Sequence, residues 1–336
     1  MKRGLCALLL LVCAVFAQDV GVWNYNKSAP LNTKVAGTQV RDDVSVQDIS
    51  YDSPVVDRGP SVGPNGGHVT AYLVLPKGKG PFPAVIYQHW CMPGSEMKNR
   101  KEFLDEAVLL ARSGVMSLLP DHVRVRPNFV EDKATDSTQE IDVTVQEVMD
   151  LRRGADLLLA RKDVDPKRLG YVGHSCGGSA GEILSGVDKR FKTFVIMAGG
   201  LADAILITTK PMQAYRQNIG PDKFDAFVAK HSIVDPGKYI AHAAPASLFF
   251  QYASHEPIGG AEEQKENVAL ASEPKKMKIY EAEHALNPEA TSDRIAFLAE
   301  QLSFKPPAAK DIAAIPALTQ PPWPGQSPQK KEEKKE

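Results

Sequence analysis

Cysteine is scarce: four in 336 residues, at positions 6, 13, 91 and 176. That is too few for a disulfide-framework domain, and their spacing fits no metal-ligand motif. Charge of one sign is missing as well, with Lys+Arg 40 against Asp+Glu 41 and a formal net charge of −1. A chain so balanced carries no overall electrostatic footprint for nucleic acid or an anionic membrane surface. Beyond the first residues no apolar run is long enough to span a bilayer, and no internal repeat is visible. What remains is ordinary globular composition, 43% hydrophobic and 24% charged, enough for a sizeable core.

The ends differ from the middle. "MKRGLCALLLLVCAVFA" has a basic start, a short apolar run and a small residue at Ala17. That order predicts a signal peptide over 1–17, hence an exported mature chain with no membrane contact after cleavage. Cys6 and Cys13 would leave with it, so Cys91 and Cys176 are the mature chain's cysteines. Residues 18–43 are polar and without clear periodicity, and are expected to be a loosely held extension. Residues 305–336, "KPPAAKDIAAIPALTQPPWPGQSPQKKEEKKE", are rich in proline and end in charge, and are expected to be disordered.

Between them, 44–304 reads as one α/β domain. "VSVQDISYDSP" and "GGHVTAYLVLP" predict an antiparallel pair, and "FPAVIYQHW" a strand buried on both faces. Helical and strand patterns then alternate. "STQEIDVTVQEVMDLRRGADLLLARKDV" opens with a capping box at Ser137 and Glu140 and carries Ile141, Val145, Val148, Leu151, Ala155 and Leu158 as one stripe. Alternation of this kind implies a mostly parallel sheet with helices on both faces. Residues 201–245 exceed one crossover and are expected to form a small helical excursion or lid after the sixth of these strands.

The chemistry concentrates at "YVGHSCGGSAG". A strand, then Gly173, His174, Ser175, Cys176 and Gly177, then a helix, is the setting in which G-x-S-x-G presents a serine nucleophile on a sharp turn. Serine needs a base, and the base an orienting acid, following it in the order serine, acid, histidine. His284 ends the last strand, where the base belongs. Glu256, after "SLFFQYASH", is the candidate acid, with Asp203 as its competitor. An oxyanion requires two backbone donors. Cys176 supplies one and the loop after "AVIYQHW" the other, through Trp90 or Cys91. The two cysteines thus fall at the two halves of this site, either as neighbouring small residues or as a disulfide. His89, Asp121 and His174 are candidate pocket residues, though His89 and Asp121 also fit bracing roles. No metal or cofactor is implied.

Together these residues resemble the α/β-hydrolase superfamily, and within it the dienelactone-hydrolase-like and prolyl-oligopeptidase-like exported esterases. The resemblance covers about Val44 to Leu302. It implies an acyl-enzyme on Ser175, no cofactor, and a small-molecule ester as substrate. Dienelactone hydrolases carry cysteine at the nucleophile position, where this chain has Ser175 with the cysteine one place later, and related sequences commonly carry Asp where Glu256 stands. Two other functions stay in view: a serine peptidase of the prolyl-oligopeptidase kind, against which stands the lack of room for a gating propeller, and a non-catalytic binder on a hydrolase scaffold. Oligomeric state is not legible.

Overall fold

The computed structural model describes residues 20–55, 67–127, 129–134 and 139–323. The expected signal peptide, Ser137 of the capping box and the tail beyond 323 lie outside them. Nine strands form one sheet in the order β1-β2-β3-β5-β4-β6-β7-β8-β9. β1 (Lys34–Arg41), β2 (Val44–Asp52) and β3 (His68–Leu75) are antiparallel, and β3 pairs antiparallel with β5 (Met116–Pro120). β4 (Phe82–Gln88), β5, β6 (Val164–His174), β7 (Thr193–Met197), β8 (Ser247–Ala253) and β9 (Lys275–Tyr280) run parallel.

Helices cover both faces, as the alternation predicts. On one face α1 (Leu104–Arg112) and α9 (Pro288–Leu302) pack Phe103, Ala107, Ile295 and Leu298 against Val85 and Val172. On the other, α2 (Gln139–Leu159) and α3 (Cys176–Val187) bury Val145, Val148, Leu151, Ile183 and Leu184 against Ile86 and Tyr171. All six residues of the α2 stripe are buried, because a 3.6-residue period keeps them on the side facing the sheet. Burial of each large apolar side chain is worth about 1.5–3 kcal/mol, so these two layers dominate the fold's stability.

The excursion is helical, as expected: α4 (Asp203–Leu206), α5 (Lys210–Ile219), α6 (Pro221–His231) and α7 (Pro236–Ile240) follow β7. Three features depart from the sequence reading. The extension over 18–43 is not loose where it is described. Trp23 is fully buried and its indole N–H donates to the Tyr239 hydroxyl at 3.1 Å, and β1 adds an edge strand. A helix, α8 (Ala261–Leu270), stands between β8 and β9. Its buried face is mostly amide, Gln264 and Asn267 beside Val268, so it carries no apolar stripe to read. The tail is ordered over 305–323, with a short turn of helix, α10 (Ala309–Ile312), and Ile312 and Ile315 packed against the α1 and α9 layer.

β4 places β5 on one side of it and β6 on the other. The loops leaving β4 and β6 therefore part at this switch point and leave a crevice at the carboxyl ends of the strands, where open α/β sheets bind ligands. Among the described residues no helix is long and apolar enough to cross a membrane.

Candidate active site

Ser175 stands alone between the end of β6 and the start of α3, with φ 58° and ψ −114°. A positive φ at a non-glycine residue costs about 1–3 kcal/mol and persists only where its surroundings impose it. Here the Ser175 N–H donates to the Met197 carbonyl at 2.8 Å, which ties the turn to the end of β7. The flanking glycines explain why the chain bends so tightly. A Cβ on Gly173 would lie 2.1 Å from the Gly177 carbonyl oxygen, and one on Gly177 would lie 2.4 Å from that of Gln88. With no side chain there, β4, β6 and α3 converge and Ser175 is set at the cavity wall.

The cavity, about 300 Å³, is lined by Ser175, Cys176, Glu256 and His284, and by Leu201, Leu206 and Val234 of the excursion. His284 Nδ1 and Glu256 Oε2 are 2.8 Å apart, with both side chains only 8% exposed. The other atom of each, His284 Nε2 and Glu256 Oε1, is buried without a hydrogen-bond partner among the described residues. Glu256 thus holds the ring by one nitrogen and leaves the second without a partner among the described residues, at the wall of the cavity that Ser175 also lines. Asp203, the competing acid, is engaged elsewhere. It lies in α4 and meets His231 Nδ1 at 2.8 Å. Burial opposes charge on His231, but the Asp203 hydrogen bond and charge outweigh it and its pKa is raised.

Cys91 and Cys176 form a disulfide, with Cα atoms 5.9 Å apart across a sequence separation of 85. Of the two alternatives left open by the sequence, the covalent one holds. The bond fastens the loop after β4 to the first residue of α3, whose leading N–H groups have no partner within the helix. Trp90 is corrected as a backbone donor, since its N–H is taken by Glu102 Oε2 at 2.6 Å. Of the Trp90 and Cys91 pair, only Cys91 remains to accompany Cys176.

The three candidate pocket residues are also corrected, because none of them lines the cavity. His89 is buried, its Nδ1–H donating to the Trp90 carbonyl at 2.6 Å and its Nε2 accepting from the His122 N–H at 2.9 Å. Burial lowers its pKa, which suits this neutral ring. Asp121 accepts from the Thr70 hydroxyl at 2.6 Å and the Arg100 N–H at 3.0 Å. His174 is fully buried and works behind the cavity: its Nε2–H donates to the His284 carbonyl at 2.9 Å, and Nδ1 meets Glu102 Oε1 at 2.7 Å.

Glu102 therefore joins the β4 loop to the end of β6 through two carboxylate oxygens, and His174 carries the link on to the His284 loop. The indole of Trp90, buried beside them, stacks on His174 with centroids 5.0 Å apart. Sequence reading missed Glu102, which sits in an ordinary charged stretch ahead of α1 with no motif around it. It also missed Trp323, which lines the cavity with its ring centroid 5.1 Å from that of His284. Among the described residues the metal-donor types cluster once, as Cys91, His122 and Cys176. The two sulfurs are bonded to each other, so they are not thiolate ligands.

No family model matches the chain. A curated relative, "Protein usf" of Aquifex pyrophilus, is 27% identical over 131 residues, which is 36% of this chain and 52% of that protein. The match thus spans about half of the relative's length. Among solved structures, an acetyl xylan esterase from Paenibacillus sp. R4 superposes with TM-score 0.66 at 18% identity, covering 86% of this chain and 94% of that one. Acetyl xylan esterase 1 from Thermoanaerobacterium sp. JW/SL YS485 gives 0.67 at 14% identity, over 85% and 93%. A glucuronoyl esterase from Solibacter usitatus gives 0.59 at 14%, over 85% and 91%. Sheet order, serine turn and structural likeness agree at the level of architecture: the chain has the α/β-hydrolase fold.

Proposed function

We propose that the protein is an exported serine-dependent carboxylic ester hydrolase. The observation that carries this reading is the Glu256–His284 hydrogen bond beside Ser175, on its strained turn, in one largely apolar cavity. In the mechanism His284 Nε2 takes the Ser175 hydroxyl proton as Oγ bonds to the ester carbonyl carbon, and Glu256 stabilises the imidazolium. The oxyanion is held by the N–H groups of Cys176 and Cys91. The carbon–oxygen bond to the alcohol breaks as His284 returns its proton to the leaving oxygen, giving the acyl-enzyme. Water, deprotonated by the same ring, releases the carboxylic acid and restores Ser175. No step calls for a metal.

Export is supported by the signal-peptide pattern of residues 1–17 and by the Cys91–Cys176 disulfide, a bond that persists in oxidising compartments. The structural neighbours are esterases, which favours an ester over a peptide bond. In the test, wild type hydrolyses p-nitrophenyl acetate and is labelled by a fluorophosphonate probe, while Ser175→Ala loses both and keeps its circular dichroism. Full hydrolysis by folded Ser175→Ala would overturn the proposal.

A further inference from the structure

Residues 305–323 are a strap fastened to the loop that carries the base. Leu318 and Trp323 pack on Trp90, Met92 and Ala285. Gln320 Oε1 accepts the Ala285 N–H at 3.0 Å, one residue from His284. Its amide nitrogen meets the Pro321 carbonyl at 2.9 Å and lies 3.8 Å from Met92 Sδ. The strap delivers the Trp323 ring to the cavity at 66° to the His284 ring. Its Nε1–H is buried without an acceptor among the described residues.

The two halves of an ester are told apart by the base. The alcohol oxygen must come within hydrogen-bond reach of His284 Nε2 to receive its proton, so a ring packed against His284 borders the alcohol half. An indole offers a broad apolar face and one donor, and a buried donor left unpaired is unfavourable. A short alkyl alcohol uses neither. A saturated ring bearing hydroxyl or ether oxygens lays its C–H face on the indole and offers Nε1–H an acceptor. We propose that Trp323 is a specificity-determining residue that selects esters whose alcohol half is such an oxygenated ring. This rests on the ester-hydrolase reading above.

Three esters of acetic acid test it: ethyl acetate, cyclohexyl acetate and peracetylated methyl β-xylopyranoside, whose three ester bonds share one sugar ring. Trp323→Ala is expected to lower kcat/KM on the xyloside about tenfold more than it lowers it on ethyl acetate. Trp323→Phe, which keeps an aromatic face and removes the donor, is expected to retain the cyclohexyl rate and lose the xyloside advantage. Equal losses on all three esters, or no loss on the xyloside, overturn the assignment while the esterase reading stands. Should Trp323→Ala fail to fold, the xyloside-to-cyclohexyl ratio of Trp323→Phe decides, an unchanged ratio overturning it. A wild-type protein that cleaves none of the three overturns the esterase reading, and the assignment with it.

Discussion

The two walls of the cavity are built on opposite principles. Behind Ser175 and His284 a polar chain is paired from end to end: Glu102 accepts from the Trp90 backbone N–H, meets His174, and His174 donates to the His284 carbonyl, the Trp90 indole N–H alone in this chain being buried without a partner among the described residues. In front, the excursion and the strap present Leu201, Leu206, Val234 and Trp323, and His284 Nε2, Glu256 Oε1 and Trp323 Nε1 stand buried without partners among the described residues. A satisfied network fixes geometry, since each group holds its neighbours in one arrangement. An apolar wall with a few unpaired donors and acceptors is instead incomplete until something occupies it. On the ester-hydrolase reading proposed above, the back sets where the reacting atoms are, and the front sets what reaches them.

Perturbing each wall separately sharpens this division. The largest effect falls where the walls meet: His284→Ala is expected to lower kcat on p-nitrophenyl acetate about 10³-fold or more with little change in melting temperature. Next is the disulfide. Cys91→Ser with Cys176→Ser is expected to remove about 4 kcal/mol of stability through the freed chain entropy, read as a lower urea midpoint. An unchanged midpoint would show that the back wall holds the loop unaided. Glu102→Gln is expected to lower kcat about tenfold with KM nearly constant, because it loosens the back and leaves the front intact. A KM effect alone would break the comparison.

The smallest effect belongs to the front wall's ion pair. His231 has its pKa raised by Asp203, so the pair's contribution is fully present below the unfolded histidine value and is lost as pH rises through the folded one. Asp203→Asn should therefore destabilise more at pH 5.5 than at pH 9 in urea unfolding. Equal loss at both would mean that the pair's charge adds nothing.

The elbow was legible because it is local: strand, two glycines and helix lie within a few residues, and steric need dictates each. That His284 and Glu256 meet was legible from chain order and from the place of Glu256 after a strand. Features made by distant partners were not. Trp90 looks like a donor until Glu102, from the stretch ahead of α1, is folded against its N–H. Asp203 looks like an acid until α6 brings His231 to it. β1 escaped notice because its side chains up to Val40 are exposed and it is held by backbone pairing with β2 and one ion pair, Arg41 with Asp105, at its end. The strap escaped because its proline-rich composition describes an isolated chain, whereas Ile312, Ile315, Leu318 and Trp323 each find a surface made elsewhere.

The Cys91–Cys176 bond also bears on how the protein moves. Proteins open locally in cooperative units, and a helix start or a loop end is where such openings begin. Here the end of the β4 loop and the first turn of α3 share a covalent link, so neither frays without carrying the other. Amide exchange at Cys91 and Cys176 should follow one common opening in the oxidised protein and two independent ones after reduction.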